Sequence, residues 1–154
     1  MKKLNENELS KWDKRFYELA KHIATWSKDP STQVGAIIIT PNKRIVATGY
    51  NGMPTNINDF KYDRWARPTK YMWVEHAERN AIYHAARHGT SIEGCSLYVT
   101  TFPCADCARA IIQSGISCLI APYYTEDKKW IKSWKVSEEM LIEAKIGILA
   151  IIKE

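Results

Sequence analysis

From Ala77 to Ala121 the chain changes its hydrophobic period three times, and that alternation restricts the fold more than any other feature. "HAERNAIYHAARHG" places Ala77, Ala81, Ile82 and Ala85 at three- and four-residue spacing and ends on Gly89, a C′ glycine. "CSLYVTT" reads as a strand, "CADCARAIIQS" returns to helical spacing until Gly115 stops it, and "SCLIA" is a strand again. Helix, strand, helix, strand in this order builds βαβ units with right-handed crossovers, so the later strands run parallel and the sheet needs helical cover.

The flanks extend the pattern. Ser10 with Asp13 resembles a capping box, and Trp12, Phe16, Leu19, Ala20, Ile23 and Trp26 follow at helical spacing until "KDPST" ends the run. "QVGAIIIT" and "RIVATGY" then read as a hairpin turned at "PNK". Between Asn51 and Trp73 nothing is periodic; a loop of this length inside a domain is functional or mobile. The stretch from Glu126 to Lys145 is mostly helical, and "GILAIIK" closes the chain as a fifth strand. With no repeat, linker or low-complexity tract, residues 1–154 form one α/β domain whose mixed sheet carries helices on both faces.

Composition narrows the setting. No apolar run approaches the ~18 residues of a membrane-spanning helix, so no membrane partner is expected. The charged start "MKKLNENELSKWDKRF" lacks a signal-like apolar run, which predicts a cytoplasmic, reducing compartment. There a Cys-x-x-Cys pair binds metal or does redox work more readily than it forms a disulfide. The formal charge of +5 suits an anionic ligand such as a nucleotide; equally, scattered lysines make a basic solvated surface.

Chemistry concentrates at two helix starts. Cys104 and Cys107 stand at i and i+3, on one helix face, a pair that alone is open between zinc, redox chemistry and burial. His76 alone points nowhere. Together, His-x-Glu at one helix start, a strand, and Pro-Cys-x-x-Cys at the next helix start make the signature of the zinc-dependent nucleobase deaminases. Helices of successive βα units begin at the same sheet edge, so His76, Cys104 and Cys107 can share one ion, with helix dipoles and amides stabilising the thiolates. Three protein ligands leave zinc a fourth position for water, the mark of a catalytic site. Glu78, beside the metal but not needed to bind it, would take the proton of that water and pass it to the base and the departing ammonia.

On these residues the chain resembles the cytidine/deoxycytidylate deaminase superfamily, nearest to its dCMP branch, through "SKDPSTQVGAIII", "GYNGMP", "HAERNAI" and "TTFPCADCARAIIQSGI". The resemblance implies a three-layer α-β-α fold with a five-stranded mixed sheet whose last strands are parallel. It implies hydrolysis of dCMP to dUMP and ammonia, with zinc on His76, Cys104 and Cys107 and Glu78 as proton shuttle. It also implies that Asn51 contacts the sugar, the Ala77 amide the base carbonyl, and the Phe102 carbonyl the amino group. Ser27 and Lys28 match the phosphate-binding region, although a solvated lysine at a helix C-terminus reads equally well. Gly49, Tyr50, Asn51 and Gly52 match a segment that in relatives binds dCTP or dTTP with magnesium within a hexamer; the other reading is a strand end whose glycines permit a turn. Residues 51 to 75 lack the His and Cys that hold a second zinc in some relatives, so one zinc per chain is expected.

Several assignments stay open. Arg64, Arg67 and Lys70 among aromatics could grip a nucleotide or face another subunit, the latter slightly favoured. Tyr123 or Tyr124 could pack on the substrate. The competing substrates are dCTP, cytidine, a free base or tRNA adenosine, though "AIIKE" is not the basic tail that RNA would favour. A non-catalytic zinc module that binds nucleotides is the other class, against which Glu78 argues.

Overall fold

Ser10 starts the first helix as its hydroxyl dictates, accepting a hydrogen bond from the Asp13 amide at 3.2 Å to cap α1 (Lys11–Ala24). The computed structural model describes residues 1–124 and 127–152. Thr125, Glu126, Lys153 and Glu154 lie outside the described residues, and with them the expected helix start at Glu126 and the end of the closing strand at Lys153.

In chain order the sheet comprises β1 (Lys2–Asn5), β2 (Gly35–Ile39), β3 (Ile45–Tyr50), β4 (Ser96–Val99), β5 (Cys118–Pro122) and β6 (Gly147–Ile152), arranged β1-β6-β5-β4-β2-β3. The helices after α1 are α2 (Lys70–Trp73), α3 (Ala77–Arg87), α4 (Ala105–Gln113) and α5 (Ile131–Glu143). β2 runs antiparallel to both its neighbours, β3 and β4, while β4, β5, β6 and β1 are mutually parallel. The sheet therefore has six strands where five were expected. The extra one, β1, pairs Lys2 to Asn5 with Leu149 to Ile152 at the sheet edge. "KKLN" carries no apolar alternation, so its strand state comes from the partner it meets and not from its own pattern.

Alternate side chains enter two cores. Ile37, Ile39, Tyr98, Ile120 and Ile151 meet Phe16, Tyr17, Ala20 and Ile23 of α1 on one face. Ala36, Ile38, Leu97, Val99, Leu119 and Ala150 meet α3, α4 and α5 on the other. Every residue of β2 is buried, as a strand covered on both faces requires. Gly35 and Gly49 set how closely the helices approach: a Cβ at Gly35 would lie 2.1 Å from the Ala20 carbonyl oxygen, and one at Gly49 2.3 Å from that of Ala77.

The insert is more ordered than its sequence suggested. Gly52 and Glu75 exchange backbone hydrogen bonds of 3.1 and 2.9 Å that close its two ends together. Within it Trp65 is buried and its indole donates to the Asp59 carbonyl at 2.8 Å.

Candidate active site

Strand direction decides where chemistry gathers. Because α3 and α4 each follow a strand of the same sense, β3 and β4, both begin at one sheet edge, where the segment leading into β2 and the segment leaving β5 also lie. His76 is the N-cap of α3 and Cys104 that of α4, both extended, and Cys107 stands one turn further. The His76 Nδ1 atom lies 3.5 Å from Sγ of Cys104 and 3.5 Å from Sγ of Cys107. All three atoms fall within 4.8 Å of one another. A tetrahedral zinc with its usual bond lengths holds sulfur and nitrogen about 3.5 Å apart, so the donor set and spacing fit that ion.

The protons respond to this crowding. The Cys104 thiol is drawn down to about 4, by a hydrogen bond from Cys107 and then by His76, against the opposing effect of burial. His76 is raised, chiefly by its hydrogen bond to Cys104. Cys107 is pushed well up by the hydrogen bond to Cys104 and by burial. Burial likewise raises the Glu78 carboxyl, with His76 pulling the other way. Arg79 links the two helix starts: its Nε donates to Glu75 at 2.6 Å, and Nη1 lies 3.8 Å from Asp106 on α4.

A cleft of about 290 Å³ opens over this cluster. His76, Ala77, Glu78, Phe102 and Cys104 line it from below, Trp130 and Trp134 from α5 and the turn before it, and Arg67, Lys70 and Tyr71 from the insert. Asp29, Thr32 and Asn51 complete the wall through a buried network. Lys70 Nζ sits 2.7 Å from Asp29 Oδ2, and Asp29 Oδ1 accepts from the amides of Ser31 and Thr32 at 2.9 and 3.1 Å. Burial would raise the Asp29 carboxyl, but the hydrogen bonds from Lys70, Ser31 and Thr32 outweigh it and hold it below the usual carboxylate range. Asn51 spends its side-chain oxygen on the Val34 amide at 2.7 Å and its nitrogen on the Thr32 carbonyl at 2.8 Å.

The matching family model is the cytidine and deoxycytidylate deaminase zinc-binding region, over residues 10–122. The chain belongs to this deaminase family. An uncharacterized deaminase of Aliivibrio fischeri is 46% identical over 142 residues, covering 91% of this chain and 93% of that protein. Human deoxycytidylate deaminase is 44% identical over 115 residues, covering 71% of this chain and 63% of the human protein, so the chain spans less than two thirds of that relative. The dCMP deaminase of cyanophage S-TIM5, solved with dCMP and dUMP, superposes with a TM-score of 0.71 at 25% identity, covering 92% of this chain and 98% of that one.

In this member of the family, His76, Ala77, Glu78, Asn51, Phe102 and Cys104 gather at one cleft with Cys107 beneath. Ser27 and Lys28 do not join them. They line a neighbouring cavity with Phe60 and Tyr62, where Ser27 donates to the Asn51 carbonyl and Lys28 Nζ pairs with Asp59, each at 2.7 Å. Gly49 and Gly52 have no left-handed φ: the first packs against α3, and the second closes the insert. Tyr123 and Tyr124 stack on one another at 4.6 Å behind Phe102 and do not line the cleft. Trp130 and Trp134 lie beyond the motifs, and only the fold of α5 over α4 brings them to the cleft. Ser133 belongs to no motif, yet its hydroxyl accepts the Ala105 amide at 2.9 Å and so caps the cysteine helix from outside.

Proposed function

We propose that the chain is a zinc-dependent hydrolase that converts dCMP and water to dUMP and ammonia, supplying dUMP for thymidylate synthesis. One observation carries this reading: His76 Nδ1 and the Cys104 and Cys107 sulfurs meet at zinc-ligand spacing beside the buried carboxyl of Glu78. Relatives named as deoxycytidylate deaminases support the substrate.

His76, Cys104 and Cys107 would hold one zinc, which supplies a Lewis acid and an acidified water when bound. Glu78 accepts the two protons of the attacking water in succession, passing the first to the ring nitrogen and the second to the departing ammonia; a buried carboxyl that readily holds a proton suits that task. The Ala77 amide, in a first helical turn where no intrahelical carbonyl reaches it, donates to the base carbonyl. The Phe102 carbonyl accepts from the amino group. Trp130, Trp134 and Tyr71 cover the base and keep bulk water out. Asn51 meets the sugar from the wall and holds the loop after α1 in place.

The same reading places a regulatory triphosphate with magnesium at Gly49, Tyr50, Asn51 and Gly52, where the exposed Tyr50 ring lies 6.2 Å from that of Trp26. It makes the protein a cytoplasmic homo-hexamer. No helix among the described residues is long and apolar enough to cross a membrane.

The test is ammonia release from dCMP, dCTP, deoxycytidine, cytidine and tRNA by protein whose zinc content has been measured. Preference for dCMP with one zinc per chain is expected; activity confined to RNA, or two zinc ions per chain, contradicts it. Adding dCTP or dTTP with magnesium to the dCMP assay tests regulation, and sedimentation tests the hexamer.

A further inference from the structure

The geometry points to Arg67 and Lys129 as a two-sided clamp for the phosphate of the nucleotide, so that these residues separate a nucleotide from a nucleoside. This inference rests on the nucleotide deaminase reading and specifies its substrate end.

A line of rings leads outward from the metal-ligand cluster. The His76 ring meets that of Trp130 edge-on with centroids 6.3 Å apart, Trp130 meets Tyr71 in the same way at 6.1 Å, and Lys129 Nζ lies 3.8 Å from the Tyr71 centroid. A base seated by His76 and covered by Trp130 therefore has its sugar and phosphate beside Tyr71 and Lys129. Across the mouth, Arg67 lines the cleft and fastens one guanidinium nitrogen to the Thr32 hydroxyl at 3.3 Å. The other guanidinium donors keep the planar fork that matches phosphate oxygens, while Lys129 adds a point charge.

Neighbouring charges leave this role to the pair. Lys70, the other cation that lines the cleft beside Arg67, is buried and bound to Asp29. Asp127 also lines the cleft, but it directs Oδ1 to the amides of Lys129 and Trp130, at 2.8 and 3.2 Å, and so serves the start of α5. Burial, then the charges of Arg67 and Lys70, lower the Lys129 pKa, as expected of three cations that converge where an anion would relieve them. Lys28, the cation favoured by resemblance, pairs with Asp59 in the neighbouring cavity.

The experiment compares binding of dUMP, deoxyuridine and inorganic phosphate by calorimetry, and kcat and KM for dCMP and deoxycytidine, in the zinc-loaded wild type, Arg67→Gln, Arg67→Lys and Lys129→Gln. Arg67→Gln should weaken dUMP by roughly 10- to 100-fold and raise KM for dCMP with kcat held, while deoxyuridine and deoxycytidine stay unchanged. Lys129→Gln should do the same to a smaller extent, and Arg67→Lys should recover part of the loss. Inorganic phosphate should bind far more weakly than dUMP and lose affinity in the same variants. Equal losses for nucleotide and nucleoside would make Arg67 a mere prop for the Thr32 loop and overturn the clamp, as would no loss at all. Arg67-dependent dUMP binding without dCMP turnover would uphold the clamp and sink the deaminase reading; turnover of dCMP indifferent to both cations would do the reverse.

Discussion

Glu78 is the residue on which the proposed chemistry turns, and burying its carboxyl costs stability that its proton-carrying role explains. Glu78→Gln keeps the shape and removes the base, so the variant should bind one zinc yet lose about 10²- to 10⁴-fold in kcat; metal analysis and ammonia release on one preparation check both halves. A zinc-loaded variant with near-wild-type turnover would end the assignment. Asp29 and Lys70 make the opposite case, a charge pair that builds the wall without touching the reacting atoms. The Asp29 carboxyl sits below its unfolded value of ~3.9, so it stabilises the fold above that pH, and the stability drains away as pH falls through the folded value. Lys70→Met leaves that carboxylate buried and alone, which should cost about 3–5 kcal/mol at pH 7. The gap between variant and wild type in urea denaturation should shrink as pH falls, because the unpaired carboxyl of the variant takes up its proton before the paired one of the wild type does.

At the scale of elements, the spacing of α3 against β3 is the sensitive dimension. A methyl at Gly49 would lie 2.3 Å from the Ala77 oxygen and 2.4 Å from the Ala81 nitrogen, so α3 must back away, carrying His76 and Glu78 with it. Gly49→Ala should therefore lower stability by about 1–3 kcal/mol and cut kcat, whereas Gly52→Ala, whose methyl meets only a Tyr50 ring atom at 3.9 Å, should change the thermal midpoint little. These elements differ in how far their sequence announces them. That His76, Glu78, Cys104 and Cys107 meet was legible because each motif lies within one helix start, where spacing alone sets the face. β1 was not, since four residues with exposed lysines become a strand only when β6 offers its edge. Lys28 and Arg67 carry the same charge in sequence; which of them faces the cleft depends on how the insert folds back, which no local pattern records.

For the whole molecule, the strand directions bring the segment after α1, the insert and the starts of α3 and α4 to one sheet edge, while the opposite ends carry turns such as the one at Gly115. The metal-ligand cluster is held by α3 and α4, with Ser133 and Arg79 bracing their starts, and the surrounding wall comes from elsewhere in the chain. The insert enters and leaves at one point, the paired backbone of Gly52 and Glu75, and its main further anchor within the cleft wall is Lys70 on Asp29. That pinch hangs the whole segment on one seam next to His76, so a shift there would move the cleft wall and the first metal ligand together.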